Sequence, residues 1–249
     1  MAVGAQAGNG ALLELVGLRV RFGGVTALDG VSIAAAPGAI VGIIGPNGAG
    51  KTTLFNCISG AVRQDEGSIL LDGKRIDGLP PHRRARIGLT RTFQNLALLE
   101  SLSVLDNVRL AAEQAARRSA TAALHDATRL LDAFGLGALG RGPVHGLPMG
   151  TRRKIELARA IAGRPRLLLL DEPTAGLSEV EAADVVAVIR RQHAELGFTT
   201  LLVEHQMPVV MALSDRIVAL DFGRKIAEGL PAEIRRDPAV LAAYLGDAA

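Results

Sequence analysis

Eight residues constrain this chain more than any others: Gly45, Pro46, Asn47, Gly48, Ala49, Gly50, Lys51 and Thr52 complete the pattern G-x-x-x-x-G-K-[ST]. Its meaning depends on what flanks it. Residues 39–44 form a continuous apolar run, the mark of a strand buried on both faces, and a helix is expected from about 51 to 58. Strand, glycine-rich turn and helix, in that order, let backbone N–H groups curl around a phosphate chain with no Cβ in the way. The positive end of the helix dipole adds to the attraction. Lys51 then reaches the β- and γ-phosphates, and the Thr52 hydroxyl is placed to ligate Mg²⁺.

A second constellation answers the first. Leu167, Leu168, Leu169 and Leu170 run into Asp171 and Glu172, so two carboxylates stand at the C-terminal end of a buried strand. That edge of a parallel sheet is where ligands bind. Asp171 is the candidate Mg²⁺ ligand, through water, and Glu172 the group that polarises an attacking water.

Composition removes several other classes. Hydrophobic residues make up 49% of the 249 and the net charge is only +3, so the chain buries a core rather than staying disordered. One cysteine, Cys57, allows no internal disulfide and fits a reducing compartment, where it reads as a small core residue. Histidines 82, 125, 145, 193 and 205 show no zinc-type spacing. The pI near 9.5 suggests nucleic acid. Yet aromatics are 3%, with no Trp and one Tyr, leaving no platform for stacked bases, and nucleic acid is not an expected partner. No apolar run reaches the roughly 18 residues of a membrane-spanning helix. Residues 1–11 lack the charged and apolar parts of a secretion signal, so a cytoplasmic location is expected.

Along the chain, residues 1–10 read as a loose tail and 12–33 as strands. Residues 102–163 turn helical, with a loop-rich stretch at 135–148 and a helix from about 152 to 162. Helix 179–196, strand 199–203, helix 206–213, strand 216–220 and a final helix near 231–245 complete the pattern. Strands alternating with helices around a helical stretch predict an α/β fold, a mostly parallel sheet with a helical insertion.

Together with Asp171-Glu172-Pro173-Thr174, Gln94 in Thr92-Phe93-Gln94-Asn95 and His205 in Val203-Glu204-His205, the phosphate loop resembles the nucleotide-binding subunit of an ATP-binding cassette (ABC) transporter. The resemblance covers nearly the whole chain. It implies a P-loop, RecA-like core (11–101 and 164–249) with an antiparallel β part and an inserted helical subdomain (102–163). It implies ATP and Mg²⁺ as cofactors, ATP hydrolysis, and a nucleotide-binding set running from Gly45 to Thr52 and on to Thr53. Gln94 resembles the glutamine that contacts Mg²⁺ and water, His205 the histidine that touches the γ-phosphate, and Phe22 the aromatic that stacks on adenine.

Two motifs depart from the family. The signature, usually Leu-Ser-Gly-Gly-Gln, reads Leu147-Pro148-Met149-Gly150-Thr151, and Pro148 offers neither hydroxyl nor N–H. Gly150 and the dipole of a helix starting at Thr151-Arg152 remain to cover a second protomer's ATP. Ser178 stands where the family has Asp.

These departures, with Arg91-Thr92-Phe93-Gln94-Asn95, Ala175-Gly176-Leu177, Glu204-His205-Gln206-Met207 and Ala243-Tyr244-Leu245-Gly246, resemble the ATPases of branched-chain amino acid importers. ATPases for urea or other small organic solutes share much of this, so they stay open. So does a soluble ABC ATPase of DNA repair or translation, although such chains carry tandem cassettes or coiled coils. A regulatory cassette without hydrolysis is disfavoured by Glu172 and His205. The implied partners are a second cassette (a copy or a paralogue), membrane permease subunits and, indirectly, a solute-binding protein. That puts the chain at the cytoplasmic face of the membrane. Residues 95–104, apolar around Leu98 and Leu99, are the expected docking surface for a permease.

Overall fold

The computed structural model describes residues 10–93, 96–116 and 119–245. Strands β1 (Leu13–Phe22) and β2 (Val25–Ala35) form a hairpin, and β3 (Ile40–Ile44) leads into α1 (Lys51–Ser59). Then come β4 (Glu66–Leu71), β5 (Lys74–Arg75), α2 (Pro81–Arg86) and β6 (Leu89–Arg91). Helices α3 (Val104–Ala116), α4 (Ala120–Ala133) and α5 (Met149–Ala162) separate β6 from β7 (Leu167–Asp171). The remainder is α6 (Glu179–Leu196), β8 (Thr199–Val203), α7 (Met207–Leu213), β9 (Arg216–Asp221), β10 (Arg224–Gly229), α8 (Pro231–Ile234) and α9 (Pro238–Leu245).

Two sheets result: an antiparallel one in the order β2-β1-β4-β5, and a six-stranded one in the order β10-β9-β3-β8-β7-β6. In the second, β9, β3, β8, β7 and β6 are parallel, and β10 pairs antiparallel to β9. All residues of β3, β7 and β8 are buried, as their unbroken apolar runs require of strands covered on both faces. The two faces feed different cores. Leu167 and Leu169 pack with α1 and the antiparallel sheet, including Leu54, Phe55 and Ile69. Leu168 and Leu170 pack with the helices, including Val108, Phe134 and Ile155. The period of two along one strand thus joins the helical stretch to the sheet.

The C-terminal part differs from the expected single helix at 231–245. A strand, β10, precedes it, and the helix is split in two. The β9–β10 turn places Phe222 at φ 41° and Gly223 at φ 75°, the two positive values of a tight hairpin turn. A bulky residue in that position hides the turn from sequence reading. The split falls at Pro238, which has no N–H to continue a helix; Asp237 Oδ1 instead accepts from the N–H groups of Ala239 and Val240 at 2.8 and 3.2 Å. Helix α5 starts at Met149 rather than near Arg152, because Pro148 (φ −53°, ψ 151°) serves as its N-cap and Arg152 N–H donates to the Pro148 carbonyl at 3.0 Å.

Arg84 anchors α1 from its C-terminal end. It is 1% exposed, and its guanidinium donates to the carbonyls of Cys57 (2.6 Å), Ile58 (2.7 Å), Leu79 (2.8 Å) and Asp77 (3.1 Å). The last carbonyls of a helix otherwise lack partners. Arg84→Met should therefore cost about 3 kcal/mol of stability in urea unfolding, since charged hydrogen bonds to buried acceptors are lost. A cost below about 1 kcal/mol would show that α1 needs no such anchor.

Candidate functional site

The phosphate loop begins where β3 ends, and two of its glycines are obligatory. Gly45 has φ 150°, and a Cβ there would lie 2.2 Å from the Leu220 carbonyl oxygen. Gly50, the N-cap of α1, has φ 100°, and its Cβ would meet the Ala27 carbonyl oxygen at 2.5 Å. The first helical bond runs from Leu54 N–H to the Gly50 carbonyl at 2.9 Å, so the N–H groups of Lys51, Thr52 and Thr53 precede it and are left for a ligand. Lys51 folds back over the loop, its Nζ donating to the carbonyls of Gly45 (2.6 Å) and Pro46 (2.8 Å). Burial pushes its ammonium below the usual lysine value, and the negative charge of Glu172 opposes that shift. Behind the loop, Gly45 N–H donates to the Tyr244 hydroxyl of α9 at 2.9 Å.

The carboxylates stand where the sequence placed them, at the C-terminal end of β7. Glu172 takes φ 49°, a left-handed conformation costing about 1–2 kcal/mol for a residue with a Cβ. Its N–H donates to the Val203 carbonyl at 2.9 Å, and its Oε1 lies 2.9 Å from His205 Nε2. Glu172 and His205 therefore form a pair. Beneath them, buried Glu204 accepts from Thr174 through both its N–H (2.9 Å) and its hydroxyl, and from the N–H groups of His205 (3.0 Å) and Gln206 (3.3 Å). One carboxylate thus ties the turn after β7 to the loop after β8. Asp171 Oδ2 accepts from Arg91 Nη2 at 2.7 Å.

Sequence reading assigned no role to Glu204, Arg91 or Tyr244 individually, although all three lie in motifs it quoted. For Glu204 and Arg91 the signal is a buried charge, and for Tyr244 it is the bond to Gly45; both emerge only from the fold. Gln94 lies outside the described residues, as do Asn95, Gly246 and residues 1–9. Phe22 closes β1 and is 52% exposed, so it is no core residue. Gly150 lies in the first turn of α5, where a Cβ would come within 2.7 Å of Glu181 Oε1. Glu181 forms a capping box with Ser178, the N-cap of α6. The docking expectation at 95–104 needs correction. Leu98 is 8% exposed and packs with Val104 and Val108, whereas Leu99 is 41% exposed. Asn107 bonds the Leu99 N–H and carbonyl, turning Leu98 inward. What opens nearby is a cavity of about 640 Å³ bounded by α2, β6, α3 and α5.

A magnesium ion fits these residues in one respect. The Thr52 hydroxyl and the Asp171 carboxylate are hard oxygen donors, and Mg²⁺ typically takes few protein ligands beside water and phosphate. No cluster of three or more His, Cys, Asp or Glu suited to a metal occurs among the described residues.

Two family models match the chain: "ABC transporter" over residues 28–175 and "Branched-chain amino acid ATP-binding cassette transporter" over residues 224–249. The high-affinity branched-chain amino acid transport ATP-binding protein BraF of Pseudomonas aeruginosa is 41% identical, covering 95% of this chain and 98% of BraF. Its counterpart LivG of Escherichia coli is 38% identical over the same shares. Among solved structures, the ADP conformation of MJ1267, an ATP-binding cassette of an ABC transporter, is 30% identical with a TM-score of 0.85, covering 95% of this chain and 99% of that one. A dimeric post-hydrolysis state of the ATP-binding cassette MJ0796, bound to ADP and Pi, is 25% identical with a TM-score of 0.78, covering 88% and 98%.

The second family match includes Tyr244, which reaches the phosphate loop from α9. Tyr244→Phe removes the acceptor of the Gly45 N–H and keeps the ring. Nucleotide affinity measured by calorimetry should fall about fivefold, on the order of 1 kcal/mol, with the melting temperature unchanged. Unchanged affinity would show that the loop keeps its shape without α9.

Proposed function

The chain belongs to the ABC transporter ATPases of the branched-chain amino acid group, and from that premise we propose how its site works. It is the ATP-binding motor subunit of a branched-chain amino acid importer, and it hydrolyses ATP. Cassettes of this kind dimerise and work with membrane components. The geometry that carries the catalytic reading is the Glu172–His205 pair at 2.9 Å, beside the phosphate loop whose Lys51 feels the Glu172 charge.

In this reading the N–H groups of the loop, among them those of Lys51, Thr52 and Thr53, and the Lys51 ammonium hold the phosphates of ATP. Lys51 exchanges its loop carbonyls for phosphate oxygens, so the charge it neutralises shifts from dipoles to the ligand. Phe22, exposed at the end of β1, stacks on adenine. Glu172 accepts a proton from the attacking water, and His205 holds that carboxylate in place and meets the γ-phosphate. The strained backbone at Glu172 aims its carboxylate away from the strand. Thr52 and Asp171 hold Mg²⁺, with Gln94 as a further contact, and the ion when bound neutralises charge on the phosphate oxygens.

The site closes between two protomers. Gly150 and the N-terminus of α5 cover the ATP of the other copy, where the dipole contributes what Pro148 withholds. Ser178 starts α6 through its capping box, and this fixes Glu181 against Gly150 within one protomer. The partner cassette is a second copy or a paralogue. The unit consists of two lobes, a core of 11–101 and 164–249 and a helical lobe of 102–163. The chain sits at the cytoplasmic face of the membrane, held there by permease subunits served by a solute-binding protein. A cytoplasmic helix of the permease occupies the cavity beside β6. His82, Arg86 and Arg159 on that cavity's wall suit a carboxylate on the incoming helix. No helix among the described residues is long and apolar enough to cross a membrane.

Glu172→Gln tests this directly. The amide cannot take the proton, so turnover should fall about 100-fold or more while ATP still binds. The ATP-loaded variant should elute from size exclusion as a dimer. Hydrolysis at the unmodified rate would place the base elsewhere, and a monomer under saturating ATP would reject the composite site.

A further inference from the structure

Arg91 ends β6, the edge strand of the six-stranded sheet, opposite Leu169 of β7. Its side chain is 8% exposed and reaches three parts of the molecule at once. Nη2 donates to Asp171 Oδ2 at 2.7 Å, and Nη1 donates to Asn56 Oδ1 at 2.7 Å and Ser59 Oγ at 3.2 Å, both on α1. The guanidinium also lies 5.7 Å from the centre of the Phe55 ring and 5.3 Å from that of Phe93. Buried Nε has no hydrogen-bond partner among the described residues. Arg91, Ser59 and Phe93 are all wall residues of the cavity of about 640 Å³.

A buried ion pair gains little stability over apolar packing, because both charges lose their water. Here the guanidinium is fixed by two further acceptors and two aromatic rings, so its position is set independently of Asp171. The carboxylate is thereby held, rather than merely neutralised. A lysine, being a point charge, would not reach Asp171 and Asn56 together.

We propose that Arg91 is the positioning residue for the Asp171 carboxylate, and that through Phe93 it links the cavity wall to the nucleotide site. The inference rests on the reading of Asp171 as a Mg²⁺ ligand. Whatever enters the cavity against Phe93 bears on the guanidinium. Motion of the guanidinium turns the carboxylate, and it also pulls on α1, whose first turn carries Lys51 and Thr52. The edge strand thus gives the cavity a mechanical route to both sides of the nucleotide site, the carboxylate and the loop helix.

The test uses the full chain and ATP alone, measured by calorimetry with Mg²⁺ and again in EDTA. Arg91→Lys should leave the affinity in EDTA within about twofold, yet reduce the gain that Mg²⁺ confers about tenfold, the usual cost of losing a partner that orients a metal ligand. Phe93→Ala, at a site 48% exposed and outside any hydrogen bond to Asp171, should reduce that gain by a smaller factor. Equal losses with and without Mg²⁺ would make Arg91 merely structural, and an unchanged or enlarged Mg²⁺ gain in Arg91→Lys would overturn the proposal. Asp171→Asn separates the two claims. If it leaves the Mg²⁺ gain intact, the metal-ligand reading fails. If it abolishes the gain while Arg91→Lys does not, the positioning role alone fails.

Discussion

Lys51 lies over the loop that precedes it, bonded to the carbonyls of Gly45 and Pro46, and the surrounding structure serves to keep that loop in shape. A loop whose N–H groups point inward must turn its chain through conformations that residues with a Cβ avoid. Gly45 pays no such penalty, but its freedom must be removed by contacts. The Leu220 carbonyl oxygen would sit 2.2 Å from a Cβ at Gly45, and the Tyr244 hydroxyl takes its N–H. At the far end of α1, Arg84 satisfies the carbonyls of Cys57 and Ile58. The loop is therefore held from β9, from α9 and through its own helix.

Sheet order accounts for the rest of the site. Strands β3, β8 and β7 are parallel neighbours, so the loops that leave their C-terminal ends emerge side by side. The loop after β3 carries the phosphate glycines, that after β7 carries Glu172, and that after β8 carries His205. Glu204 bonds the second to the third through two hydrogen bonds from Thr174, and two more from His205 and Gln206 fix it within its own loop. Arg91 joins β6 and α1 to Asp171. A shift in one of these loops is transmitted as a change in hydrogen-bond geometry, because Glu204, Thr174 and Asp171 are buried and a broken bond there costs more than on the surface.

Much of this was legible in the sequence, and the reason is local. A short unbroken apolar run such as residues 167–170, too short for a helix and ending in two carboxylates, reads as a covered strand. The strand–loop–helix around Lys51 is fixed by glycine spacing, and α6 by Ser178 and Gly197 at its two ends. What escaped depends on tertiary structure. Phe222 at φ 41° conceals the β9–β10 hairpin, and Asn107 turns Leu98 inward where apolar spacing suggested surface. Arg91, Glu204 and Tyr244 gain their roles from partners 30 or more residues away, as in the pair Arg91–Asp171 separated by 80 residues. Thr52 and Asp171 are oxygen donors by residue type, which the sequence shows, while Gln94 falls outside the described residues.

The most direct test joins the cassette to its transport work. The chain would be reconstituted with its membrane subunits in vesicles, with the solute-binding protein and radiolabelled leucine on one side and MgATP on the cassette side. The expected result is leucine accumulation against its gradient that requires ATP and stops when unlabelled isoleucine or valine competes. ATP hydrolysis with no accumulation of any branched-chain amino acid would contradict the assignment of this motor to their import.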